Sequence, residues 1–126
     1  MNSVTLHVLA AQPQVIEPPS SQTLPLGANA TFTCRTIGTV RWEIDYTSSS
    51  LSTSEPVLEV EVPFAAQGIY ATGTLVNSST TEYFSTLTLT TDGRNETEVY
   101  CRARLSSRIS AVGQPATVIL FGECIV

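Results

Sequence analysis

The chain has one histidine, His7, one tryptophan, Trp42, and no lysine, and only 13% of its 126 residues are charged. Each shortage closes off a class of function. Hydrolytic triads take their base from histidine, and His7 sits in an alternating terminal stretch where an exposed strand position is the simpler account. Structural zinc needs closely spaced Cys or His, yet no two of Cys34, Cys101 and Cys124 are near neighbours in sequence. Glu59 and Glu61 are too few oxygens for calcium, which takes about six to eight, so they are read as a solvated acidic strand face. Gly68 and Gly73 are followed by neither a helix nor a lysine, so no phosphate loop is present. The six basic residues are all arginine and the net charge is −5, without the concentrated positive patch that nucleic acid requires. No apolar run reaches the ~18–20 residues of a membrane-spanning helix. No helical period is sustained anywhere, and no cofactor is expected.

What is present is alternation. Apolar residues recur at every second position in 30–34, 40–44, 57–62, 82–90 and 99–105, the mark of strands with one face buried. About a quarter of the chain is Ser or Thr, which suits the outward faces. The sequence therefore predicts an all-β domain, large enough to bury its own core. The segment from Ile16 to Gly27 holds Pro18, Pro19 and Pro25, and since proline donates no hydrogen bond to a ladder, it reads as a broken edge strand. Ile37-Gly38-Thr39 makes a short turn. Residues 46–54 have loop composition, Asp92-Gly93 marks a turn, and the stretch from Phe64 to Gly73 is expected to hold a turn and a short edge strand.

Cys34 in one strand, Trp42 in the next and Cys101 far downstream resemble the immunoglobulin superfamily, over roughly residues 13–122. The resemblance implies a Greek-key β-sandwich of two antiparallel sheets, with a Cys34–Cys101 bridge and Trp42 packed against it. It also matches Leu87-Thr88-Leu89 to the family's leucine-polar-leucine strand, giving Trp42, Leu87, Leu89 and Val99 as core residues, and it implies a first strand that splits and crosses between sheets. Phe121-Gly122-Glu123-Cys124 echoes the phenylalanine-glycine bulge that ends variable domains, pointing to a variable-like or intermediate set. One feature departs from the pattern: the corner tyrosine position, two residues before the second cysteine, is Val99. Tyr100 lies next to the cysteine and faces the other way, so the corner hydrogen bond is expected to be missing. The short Ile37–Thr39 connection argues against a broad antigen-type loop.

Residues 1–12 are expected to be an extension, either a signal-like segment or the trailing strand of a preceding domain. Residues 13–122 form the domain and 123–126 a tail. Asn29, Asn77 and Asn95 each begin a glycosylation sequon, which favours an extracellular location, on a cell surface or secreted. A Cys34–Cys101 bridge would leave Cys124 as a thiol for an intermolecular bond, and hence for a dimer.

The candidate binding residues are Arg41 and Glu43 on the Trp42 strand and Tyr100, Arg102 and Arg104 on the Cys101 strand, all on outward positions of what would be neighbouring strands. The plain account is that Glu43 or Asp45 pairs with Arg102 or Arg104. The functional account is that this face docks a protein, because Tyr and Arg are enriched in interface hot spots. The expected role is a non-enzymatic recognition or adhesion module of a larger receptor or secreted protein, binding a protein ligand or a second copy of itself. The alternative is a spacer domain without a ligand.

Overall fold

The computed structural model describes residues 12–46, 57–91, 96–105, 108–109 and 113–121. Eleven strands follow one another: β1 (Gln14–Glu17), β2 (Gln22–Pro25), β3 (Asn29–Ile37), β4 (Thr39–Asp45), β5 (Leu58–Glu61), β6 (Phe64–Ala66), β7 (Ile69–Asn77), β8 (Glu82–Thr90), β9 (Thr97–Leu105), β10 (Arg108–Ile109) and β11 (Ala116–Phe121). They build two sheets. One runs β1-β3-β8-β7-β6, and the other β2-β11-β9-β4-β5 with β10 appended to β9.

The alternation read in the sequence is the alternation that fills the core. Along β3, Ala30, Phe32, Cys34 and Thr36 are buried while Asn29, Thr31 and Thr33 are exposed. Their direct partners on β8 are Leu89, Leu87 and Ser85, opposite Ala30, Phe32 and Cys34. From the other sheet come Val40, Trp42 and Ile44 of β4 and Val99, Cys101 and Ala103 of β9, all buried. The bridge between Cys34 and Cys101, with Cα atoms 6.5 Å apart, ties the sheets together across this interior. Trp42 stands directly opposite Cys101 in the β4–β9 ladder and is wholly buried.

A buried indole needs an acceptor for its N–H. Ser85 provides it: Trp42 Nε1 donates to Ser85 Oγ at 2.8 Å, and Ser85 Oγ donates in turn to the Thr72 carbonyl at 2.5 Å. Ser85 shares the inward phase of Leu87 and Leu89, so a polar residue in that phase was the sequence's one signal of this relay.

The proline-rich edge behaves as its chemistry dictates. β1 pairs antiparallel with β3 in the first sheet, residues 18–21 cross over, and β2 pairs parallel with β11 in the second. The crossing from β3 to β4 is tighter, with Gly38 alone between the strands. Gly38 has φ +108°, and a Cβ there would lie 2.5 Å from the Arg104 carbonyl oxygen, so only glycine fits. Its N–H donates to the Thr81 carbonyl at 2.8 Å. A connection of one residue leaves no broad loop between these strands.

One expectation needs correction. β6 is a short edge strand and residues 67–68 form the turn, as read, but Gly73 does not punctuate the chain. It lies inside the nine-residue β7, where a Cβ would come 3.0 Å from Val62 Cγ2. The glycine serves close packing under Val62, which a local reading of composition cannot distinguish from a turn.

Candidate protein-binding face

The outward face of β5, β4 and β9 carries the charged residues singled out above. Register places Arg41 between Glu61 and Arg102, Glu43 between Glu59 and Tyr100, and Asp45 opposite Glu98. Direct cross-strand neighbours are thus like-charged in three places, an arrangement that destabilises a sheet unless the side chains reach diagonally. They do. Glu43 Oε2 accepts from Arg102 Nε at 2.8 Å and from Arg41 Nη2 at 3.2 Å. Arg41 Nη1 lies 3.7 Å from Glu59 and 4.0 Å from Glu61. The result is a continuous lattice of alternating charge across three strands.

Glu43 is its centre. Only 12% of its side chain is exposed, although it points away from the core, because both arginines fold over it. The pairing of Glu43 with Arg102 follows the sequence reading. What that reading missed is Arg41 on the same strand as Glu43, and Glu59 and Glu61 as members of the lattice rather than a free acidic face. The signal was available in the alternation of β4 and β5, but their relative register was not.

Tyr100 is half-buried beside this lattice, and its hydroxyl donates to Glu98 Oε1 at 2.8 Å. That bond comes first among the causes that raise its pKa above the ordinary 10, followed by burial and the negative charges of Glu98, Asp45 and Glu43. The phenol stays neutral and donating. Its hydroxyl serves its own strand, and Val99 is wholly buried. Arg104 is exposed at the end of the face, above Gly38, and its carbonyl accepts from Thr39 Oγ1 at 3.2 Å.

Removing the shared carboxylate should expose how much the lattice matters. Glu43→Ala leaves Arg41 and Arg102 opposed with no anion between them, and since hydrogen bonds to charged groups are worth ~1.5–3 kcal/mol each, a loss of roughly 2–3 kcal/mol is expected in urea unfolding. Adding Arg102→Ala should restore part of it; additive losses would mean the lattice carries no coupling.

Of the sequons, Asn29 is exposed at the start of β3 opposite Thr90. Asn77 is exposed at the β7–β8 turn, where its Oδ1 accepts from the Ser79 backbone N–H at 3.1 Å and from Ser79 Oγ–H at 2.8 Å. The expectations for Asn95 and Cys124, and for the extension at residues 1–11 and the tail at 123–126, lie outside the described residues. Among the described residues, no three His, Cys, Asp or Glu gather closely enough to hold a metal ion.

Two sheets packed face to face, antiparallel as expected except for the parallel β2–β11 pair that the crossing edge strand makes, a bridge between them beneath a buried tryptophan, and a first strand split between both sheets define the class: the chain is an immunoglobulin-like β-sandwich domain. A solved chain from a mutant complex of titin M10 with an obscurin-like 1 immunoglobulin domain superposes on it with a TM-score of 0.55 and 18% identity, over 90% of this chain and 96% of that one. That similarity shows the fold. No protein-family model and no curated protein matches the chain.

Proposed function

We propose that this domain is an extracellular recognition or adhesion module that binds a protein partner through the outward face of β4 and β9, as one unit of a larger cell-surface or secreted protein. The observation that carries the reading is the charge lattice itself. Arg41, Glu43 and Arg102 hold one another in fixed positions, so the face costs little side-chain entropy to immobilise on binding, while Arg104 stands exposed at its end and Tyr100 presents a rigid, half-buried ring. Three sequons and a buried bridge between Cys34 and Cys101 suit an oxidising, secretory route. The comparison structure is an immunoglobulin domain in a protein complex, which supports protein partners in general for this fold. No catalysis is assigned, because fold alone does not confer it and the face offers paired charges rather than an activated nucleophile.

A second reading, a spacer with no ligand, is favoured by one specific observation: Glu43 and Arg102 satisfy each other internally, which is what a purely structural face would show. The two separate on binding. Arg104→Glu, at an exposed position, should reduce binding of the bead-displayed domain to cells or to a cell-surface protein array by at least about tenfold, the effect of losing ~1.4 kcal/mol, with thermal unfolding nearly unchanged. Binding that is absent in the parent chain, or equal in the variant, leaves only the spacer.

A further inference from the structure

Two of the sequons open onto the same side of the sandwich. Asn29 begins β3 in the outward phase of Thr31 and Thr33, opposite Thr90 of β8, so its side chain leaves the outer surface of the first sheet. Asn77 reaches that surface by another route. Along β7, Ile69 and Ala71 point inward, and strict alternation would send residue 77 inward as well. The register irregularity between Leu75 and Asn77 changes the phase and sets Asn77 opposite Glu82, which lies in the outward phase of β8 and bonds Arg35 at 2.7 Å. Paired residues share a face, so Asn77 faces outward too. The partners of the two asparagines, Thr90 and Glu82, are the last and first residues of β8, a strand of nine residues spanning about 26 Å.

Between them lies a surface of hydroxyls. Rows across β3, β8 and β7 read Thr31, Thr88 and Tyr70, then Thr33, Thr86 and Thr72. Among the described residues the charges on this surface are Glu17, Arg35 and Glu82, gathered in one cluster at the Asn77 end, and Tyr70 is 53% exposed. The outer surface of the second sheet has the opposite character. It carries the lattice of Arg41, Glu43, Glu59, Glu61 and Arg102, and neither Asn29 nor Asn77 opens onto it. Charge keeps the one surface hydrated; the other, in a chain only 13% charged, has little of it.

We propose that N-linked glycans on Asn29 and Asn77 cover the outer surface of β3, β8 and β7, leaving the β4–β9 face as the bare side on which a protein docks. In each attachment the asparagine Nδ2 attacks the anomeric carbon of a lipid-pyrophosphate-linked oligosaccharide. The new N–C bond replaces the C–O bond to the pyrophosphate, which departs with the lipid, and the amide gives up one proton to a base of the transferase. Asn77 is an acceptor even in the folded domain: residues 77–79 are exposed, and the two bonds from Ser79 hold the carboxamide by its oxygen at the start of the turn. Asn29 lies in a ladder, and Thr31 Oγ1 sits 3.4 Å from Thr88 Oγ1, so its transfer belongs to the growing chain before β8 pairs. Once attached, that sugar stands on an outward position and leaves the core and the ladder intact.

This inference rests on the secretory part of the reading above and adds which side stays bare. Its test needs no partner, so a missing shield and a missing ligand are told apart. The chain is secreted from a eukaryotic host behind a cleavable leader. Enzymatic release of the glycans in isotopically heavy water converts each occupied asparagine to labelled aspartate, and peptide mass mapping should find the label at both Asn29 and Asn77. Hydroxyl-radical footprinting before and after release measures the coverage. Tyr70 lies two inter-strand spacings, ~10 Å, and one row from Asn29, so its oxidation should rise several-fold on release while that of Tyr100, on the other face, stays constant. Asn29→Gln should uncover Tyr70 without any enzyme. An unmodified Asn29 or Asn77, a Tyr70 as reactive with the glycans as without them or indifferent to Asn29→Gln, or an equal rise at Tyr100 overturns the proposal.

Discussion

Replacing Cys34 and Cys101 together with alanine should cost the domain roughly 4 kcal/mol, because the bridge spans 67 residues and closing so long a loop removes much of the unfolded chain's freedom. Against a typical domain stability of ~5–15 kcal/mol, the bridgeless chain should be marginal at 37 °C. Both cysteines are buried, so the substitutions also forfeit packing, and the measured loss is an upper bound on the bridge's entropic share. The measurement is urea unfolding of the parent and the double variant. With m of ~1–3 kcal/mol/M, the midpoint should fall by about 2 M. A midpoint within experimental scatter of the parent's would show that the sandwich holds without its staple, and that the two sheets cohere through β4 and β9 against β3 and β8 alone.

Trp42 is the second site with a large expected effect. It is wholly buried, it faces Cys101 across the ladder, and it terminates the relay through Ser85 to the Thr72 carbonyl. Trp42→Ala opens a cavity the size of an indole, and losses for such truncations run to ~3–5 kcal/mol. Trp42→Phe keeps most of the volume but leaves Ser85 Oγ without its donor, which should cost ~1–3 kcal/mol. Ser85→Ala tests the same bond from the other end, stranding the indole N–H. Because the variants at position 42 remove the only tryptophan, circular dichroism must follow the unfolding. Equal losses for Trp42→Phe and Ser85→Ala, each well below that of Trp42→Ala, would show that volume dominates and the hydrogen bond adds to it. If Ser85→Ala is neutral, the relay contributes nothing and the serine is merely tolerated.

Much of this architecture was legible beforehand, and the reason differs from one element to the next. The span from Glu82 to Thr90 was read to its ends because alternation over nine residues is unambiguous. The broken first edge was legible because proline's missing N–H is a local fact with one structural consequence. Gly73 misled for the opposite reason: glycine marks turns and close approaches alike, and the neighbour that decides between them, Val62, is eleven residues away and in another part of the fold. The candidate face was half legible. Period two fixes which side a residue takes, so the outward positions could be read, but Arg41 was named only as an outward docking candidate, and its sharing among Glu43, Glu59 and Glu61 was not foreseen.

By itself, the amino-acid sequence determined which residues share a face, where the chain must break, and which two sulfurs lie on the inner side of their strands. These are properties of a few consecutive residues, set by backbone geometry and by the presence or absence of a side chain or an N–H. The tertiary structure alone decided which strands lie side by side and in what register, and so placed Glu43 between two arginines, gave the indole its serine, and set Asn29 and Asn77 on one face of the first sheet. Those outcomes depend on hydrogen bonds between residues tens of positions apart, for which no local pattern carries the information.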